Sequence, residues 1–307
     1  CRGERFRISA PPVLRMKFAN ASAYACLASA MMIVGAYVGF SKVLVAVFPV
    51  FLLAWLRFGF AAVAMATWVK RTPNEPPLDS RMRRLIFLES FLGNFLFSIC
   101  MLYGMRQSSA ISAGVVMAGI PAAVALLSRI FLREPLTPRT LAAIAFAVLG
   151  VGLLALSRSD ASAAETSLIG TLLLIGAVLC EASYVVIGKR LTGTVSPKRI
   201  SALINLWGLV LVTPMGVWAA LSFEFALVRP TIWGGLALYA LAASMWTVWL
   251  WMTGLKRIPA AKAGVFTVFL PITSALVGVL FLGERFTVAH GVAFVCALAG
   301  VVLATWP

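Results

Sequence analysis

A chain of 307 residues that is 62% hydrophobic and only 12% charged has too little polar surface to enclose a water-soluble globule, since a soluble domain carries about a quarter of its residues as charge. Its solvent is therefore a lipid bilayer. The formal charge of +16 does not point to nucleic acid. The basic residues fall in short clusters between apolar runs, which is how membrane proteins set their orientation, and they form no continuous basic face.

Residues 1–17 are a basic N-terminal segment without the apolar core of a cleavable signal peptide. The part before Met16 reads either as sequence upstream of a natural start or as residues foreign to the natural protein. A bilayer-spanning helix needs about 20 mostly apolar residues. Such runs predict helices at 18–41, 46–69, 84–105, 110–132 and 138–157. After a periplasmic linker at 158–166 they continue at 167–188, 200–221, 232–254, 260–282 and 287–306. The first run is then the insertion signal. One connection is long and Pro-rich, "KRTPNEPPLDSRMRR" at 70–84, and no room remains for a soluble domain. With the N-terminus cytoplasmic, 20 of the 26 Lys and Arg lie in inside segments. This positive-inside bias predicts cytoplasmic termini.

Cys26, Cys100, Cys180 and Cys296 lie within apolar runs, as small buried residues do, and no spacing marks a metal site. The chain has one His, His290, read as structural, no H-E-x-x-H motif and no Asp inside a predicted span. An enzyme is therefore not expected. Neither is a cofactor or a nucleotide-driven cycle.

"FLREPLT" at 131–137 returns as "FLGERFT" at 281–287. At this offset of 150, residues 102–154 align with 252–304 without a gap, and 17 of the 53 pairs are identical. The matches include Gly104/Gly254, Ala113-Gly114-Val115/Ala263-Gly264-Val265, Pro121/Pro271, Glu134/Glu284 and Gly150/Gly300. Further upstream "AYVGFSK" (36–42) resembles "SYVVIGK" (183–189). The expected fold is an all-α polytopic membrane protein of ten transmembrane helices in two five-helix repeats, 18–157 and 167–307. Five is odd, so the second repeat enters the bilayer inverted, the architecture of secondary transporters.

These halves, each with its "LREPLT" or "LGERFT" connection before a Gly-containing last helix, resemble the EamA-type repeat of the drug/metabolite transporter superfamily. In length and layout the chain is most similar to the bacterial amino acid exporters of that group. The resemblance implies export of small metabolites across the bacterial inner membrane, through a cavity lined by helices one, three, four, six, eight and nine, with five and ten as scaffold. A drug or nucleotide-sugar transporter of the same superfamily is the alternative, and a non-transporting membrane scaffold a more distant one. The expected partners are a small-molecule substrate and the bilayer, with no nucleic acid, and the expected state is a monomer or weak homodimer.

Candidate residues follow from what is costly in hydrocarbon. Pro121 and Pro271, at matched mid-span positions, remove a backbone donor and should loosen their helices as paired hinges. Glu181 lies about 10 Å inside its span at 1.5 Å per residue. With Ser183 and Tyr184 beside it, Glu181 is a candidate for a substrate ammonium or a proton. Arg57 and Glu89 are read equally as a buried pair, with Glu181 as the other partner open to Arg57. Tyr239, Trp246 and Trp249 share a helical face with Thr253 at steps of seven, three and four. The matched span offers Asn94, Ser98 and Tyr103, and Tyr37 joins the set. Ring faces beside polar groups suit an amphipathic or cationic solute, although Trp at a span end is also an interface anchor. Glu134 and Glu284 are read as structural acids favouring the N-termini of the helices that follow them. Ala143, Ala147, Gly150 and Ala293, Ala297, Gly300 predict close packing of the last helix of each half.

Overall fold

The computed structural model describes residues 12–45, 47–73, 75–107, 116–117, 119–156, 167–281 and 288–305, and every regular element within them is helical. In chain order the first half contributes α1 (Pro12–Val45), α2 (Val50–Ala64) and α3, which runs Ser80–Ser90, Phe91–Leu96 and Phe97–Arg106. It continues with α4 (Ile120–Leu127 and Ser128–Leu132) and α5 (Pro138–Leu156). The second half contributes α6 (Leu168–Leu191), α7 (Pro197–Leu221) and α8, which runs Pro230–Ala240, Leu241–Trp246 and Thr247–Arg257. It ends with α9 (Ala260–Val265, Phe266–Val268 and Phe269–Phe281) and α10 (Val288–Thr305). Among the described residues, four helices are long and apolar enough to cross a bilayer: Ser80–Met101, Leu168–Leu191, Pro197–Leu221 and Pro230–Arg257.

Helix starts follow local chemistry. The Asp79 carboxylate accepts from the Met82 amide at 2.6 Å, and the Ser167 hydroxyl from the Gly170 amide at 2.9 Å. Each thereby satisfies one of the amides that a helix N-terminus leaves without a partner. Proline opens α5, α7 and α8, where its missing N–H removes no helical bond.

The two halves share irregularities as well as residues. A π turn occupies Phe91–Leu96 in α3 and Leu241–Trp246 in α8, 150 residues apart. Each inserts one residue into its helix and re-aims the side chains beyond it. The segments carrying Pro121 and Pro271 are also interrupted at matched places. Gly119 is a turn that leaves Pro121 in the first turn of α4. Phe266–Val268 is a 3₁₀ turn just before the stretch carrying Pro271. In both, a break falls within the four residues ahead of the proline, where a continuous helix would lack the proline's backbone bond.

Packing is reciprocal between halves. Helix α1 lies on α8 and α9, and α6 lies on α3 and α4, while α2 pairs with α7 and α5 with α10. The matched glycines sit at these crossings. A Cβ on Gly254 would fall 2.6 Å from Leu27 Cγ and 2.7 Å from the Ala23 carbonyl oxygen of α1. One on Gly104 would fall 2.9 Å from Leu174 of α6. A Cβ on Gly300 would lie 2.8 Å from the Ala143 oxygen, so the small residues of α5 and α10 do allow their backbones to approach. The side chains of Ala293 and Ala297 lie outside the described set. Helices α2 and α7 are joined by two polar contacts, Asn205 Nδ2 to the Phe58 carbonyl at 2.9 Å and Trp55 Nε1 to Thr213 Oγ1 at 3.2 Å.

Charged connections gather at one end. Glu75, from the long Pro-rich connection, accepts from the Ser196 amide ahead of α7 and pairs with Arg199 at 3.0 Å. Desolvation pushes the Glu75 carboxyl up. The hydrogen bonds from Ser196, Arg199 and Thr72 outweigh it and hold the group below the usual carboxylate range. The Lys189 ammonium donates to the carbonyls of Leu255 at 2.8 Å and Ile258 at 2.7 Å, at the C-terminus of α8. At the opposite end Phe48 packs on Phe223 and Trp233, with ring centroids 5.4 Å and 5.6 Å away.

Glu134 differs from expectation. It does not cap the helix that follows it: that role falls to Thr137, whose hydroxyl accepts from the Thr140 amide at 3.2 Å. The Glu134 carboxylate accepts instead from the Ala260 and Ala261 amides of α9 in the other half, at 2.9 Å and 3.1 Å. Arg133 makes this reach possible. Its left-handed φ of 57° turns the chain out of α4, and the second copy has Gly283 at that position, the residue best suited to such a φ. The 255–261 turn is thus held by a cation on its helix C-terminus and an anion on its helix N-terminus, each complementing the local helix dipole. Glu284 lies outside the described residues. Glu134→Gln weakens both charge-assisted bonds, so we expect a loss of stability of about 2 kcal/mol, read as a lower melting midpoint of the purified protein in detergent.

Candidate functional site

Five helices from both halves bring polar and aromatic side chains together inside the bundle. Tyr37 of α1 meets Tyr239 of α8 edge to face, with ring centroids 5.5 Å apart. The Arg57 guanidinium of α2 lies 4.4 Å from the Phe58 ring centroid and 6.0 Å from that of Tyr239. Glu181 of α6 is close enough to Tyr37 and Tyr184 for its charge to act on both, and Tyr37 is equally within reach of Arg57. Glu89 of α3 completes the group behind Tyr184 and Glu181, with no exposed surface. The Tyr184 ring lies against the bare backbone of Gly93, within the π turn of α3. A side chain at that position would occupy the ring's place.

The group is short of partners. No carboxylate lies within ion-pair distance of Arg57 among the described residues, and its buried Nε has no hydrogen bond. The expected pairing of Arg57 with Glu89 or Glu181 is therefore replaced by cation–π contact. The Glu89 carboxylate is buried against the bare backbone of Gly188 in α6, and neither of its oxygens has a hydrogen bond of good geometry. Arg57 and Glu181 thus both lie within electrostatic reach of Tyr37, and neither is in an ion pair among the described residues. Such a group can hold a small solute carrying both charges and an apolar body.

A second group lies at the charged end. A cavity of about 670 Å³ is lined by Trp68, Trp249, Lys70, Lys198, Lys256 and Arg257, with threonines between them. The two Trp rings meet at 60° with centroids 5.9 Å apart, and the Lys198 ammonium lies 5.4 Å from one and 5.8 Å from the other. Trp249 is ten residues beyond Tyr239, about 15 Å along the helix axis, and the Leu241–Trp246 π turn lies between them. The single face expected for Tyr239, Trp246 and Trp249 is therefore divided between two places.

The remaining candidates lie elsewhere. Trp246 is 37% exposed and Tyr103 is 49% exposed. Asn94 sits half-buried in the π turn of α3, and its carbonyl accepts from the exposed Ser98 hydroxyl. The sequence pattern passed over Trp68 and counted Lys198 only among the orienting charges. Their neighbours in sequence carry no sign that α2, α7 and α8 end together.

The family profile described as the EamA-like transporter family matches this chain twice, over residues 21–156 and 168–306. The chain belongs to that family. It is a membrane protein of a transporter family and not an enzyme. It is 32% identical over 281 residues to the uncharacterized transporter YetK of Bacillus subtilis (strain 168), covering 91% of this chain and 85% of that protein. The uncharacterized transporter YyaM of the same organism is 24% identical over 82% of this chain and 83% of its own length. One solved crystal structure superposes with a TM-score of 0.73 at 15% identity, over 92% of this chain and 96% of its own, a likeness of fold alone.

Proposed function

We propose that this EamA-family member is a secondary transporter that exports small organic metabolites, hydrophobic and aromatic amino acids in particular, across the bacterial inner membrane. The observation that carries this reading is that Arg57 and Glu181, neither in an ion pair among the described residues, both lie within electrostatic reach of Tyr37, beside tyrosines drawn from both halves. An amino acid brings a carboxylate for the one, an ammonium for the other and a side chain for the rings. A purely cationic drug would leave Arg57 unsatisfied. In length and ten-span layout the chain resembles the aromatic amino acid exporter YddG, which prompts the choice of substrate class.

Ten transmembrane helices in two inverted repeats, with both termini cytoplasmic, are the architecture of this reading. The reciprocal packing of α1 on α8 and α6 on α3 supports it, because the two halves trade places under such an exchange. Alternating access follows when the exchange moves the central group from one face to the other. Pro121 and Pro271 are the proposed hinges, at the matched helix interruptions. No nucleotide-binding motif is present in the sequence, so a solute or ion gradient drives transport. The proposed working unit is a monomer or weak homodimer.

Purified protein in proteoliposomes is expected to move radiolabelled phenylalanine, tryptophan and leucine above protein-free vesicles, with a pH gradient as a second arm to identify coupling. Movement of cationic drugs without amino acids would replace the substrate assignment. Absence of all solute flux would sink the transport reading.

A further inference from the structure

The charged-end cavity carries an inference beyond the central group. Its lining presents four cations, Lys70, Lys198, Lys256 and Arg257, and no carboxylate among the described residues. Arg257 also donates to Ser22 Oγ at 3.3 Å, which fixes its guanidinium beside α1. Glu75, whose carboxylate accepts from the amides of the lining residues Ser196 and Thr72, is paired with Arg199. It therefore does not offset the cavity's charge. A cleft lined by one sign of charge focuses field lines and raises the local concentration of counter-ions, speeding capture about ten- to a thousandfold. The Lys198 ammonium lies 5.4 Å and 5.8 Å from the Trp68 and Trp249 ring centroids, which places it beside two aromatic faces inclined at 60° to each other.

We infer that this vestibule is a separate recognition site for an oxyanion attached to a flat apolar body, namely an aromatic carboxylate, captured before it reaches the central group. The cations hold the carboxylate, and the ring pair holds the body by stacking. The inference rests on the transport reading above and refines it, because solutes lacking a free carboxylate are turned away at the vestibule. A phosphate-bearing lipid headgroup offers the same oxyanion chemistry at the membrane surface. The rings favour the solute, since a headgroup has no flat apolar part to place against them.

The test is calorimetric binding to the full chain in phosphatidylcholine nanodiscs, using 2-naphthoate, its neutral amide 2-naphthamide and inorganic phosphate. Naphthoate is expected to bind at least about tenfold tighter than either control, a 1.4 kcal/mol difference, and to weaken as salt rises. Lys198→Gln with Lys256→Gln is expected to lower naphthoate affinity about tenfold, while Arg229→Gln at the other end of α8 leaves it unchanged. The wild-type comparison of acid with amide stands even if the double variant folds poorly.

Equal binding of naphthoate and naphthamide overturns the proposal. So does equal binding of phosphate, which would leave the rings without a role. Nanodiscs containing phosphatidylglycerol separate the other source: if that lipid abolishes naphthoate binding through Lys198, the site belongs to lipid and the solute assignment fails. Charge-selective naphthoate binding without amino acid flux would overturn only the transport reading. Flux without charge-selective binding would overturn only the vestibule.

Discussion

Glu181→Gln is expected to reduce amino acid flux in proteoliposomes about ten- to a hundredfold, while leaving the melting midpoint of the purified protein within a degree or two. The substitution keeps size and shape and removes only the charge. A hydrogen bond to a charged group is worth about 1.5–3 kcal/mol, and each 1.4 kcal/mol is about a factor of ten. In this site the loss falls on the solute and not on the fold, because Glu181, within electrostatic reach of Tyr37 and Tyr184, is in no ion pair among the described residues. Glu224→Gln, in the connection between α7 and α8, is the matched control and should leave flux unchanged. Unchanged flux in Glu181→Gln would remove this residue from the transport path. A collapsed melting curve would instead make it structural.

The second large effect concerns packing. Gly254→Val is expected to destabilise the protein by about 3 kcal/mol, the upper end of the usual range for overpacking, and to lower the yield of monodisperse material. Its Cβ would press on the Ala23 carbonyl oxygen at 2.7 Å as well as on Leu27. A backbone oxygen cannot yield without displacing α1 from α8. Gly104→Val, at the matched crossing of α3 and α6, first meets the flexible Leu174 side chain at 2.9 Å, with the Leu174 amide nitrogen further off at 3.2 Å, and should cost less. Gly59→Ala meets nothing within 4 Å and should be neutral or slightly stabilising. Melting curves followed by size-exclusion chromatography give the order. Equal effects for Gly254 and Gly59 would show that the α1–α8 crossing does not depend on a bare backbone.

Both effects reach back to features that could be read from the chain alone, to different degrees. The apolar runs at 167–188, 200–221 and 232–254 lie on the helices Leu168–Leu191, Pro197–Leu221 and Pro230–Arg257, because in hydrocarbon a backbone must satisfy its own polar groups and length then dictates the span. The offset of 150 found in the residues recurs in the two π turns, which leave no pattern of their own in the sequence. Glu181 and Tyr184 were conspicuous as polar groups inside an apolar run. Glu134 was conspicuous too, but its partner was not. Capping rules look to the next helix, and a left-handed Arg133 turned the carboxylate towards a helix 126 residues away.

Composition and the repeated phrases were enough to establish a helical membrane protein built from two related halves, since hydropathy and residue identity at a fixed offset are properties of one dimension. Which residues meet was decided only in three dimensions. Tyr37 finds Tyr239, and Trp68 finds Trp249, because α1 packs on α8 and because α2, α7 and α8 end at the same charged face. The inserted residue of a π turn then re-aims the positions beyond it, and a 3.6-residue period cannot anticipate that turn.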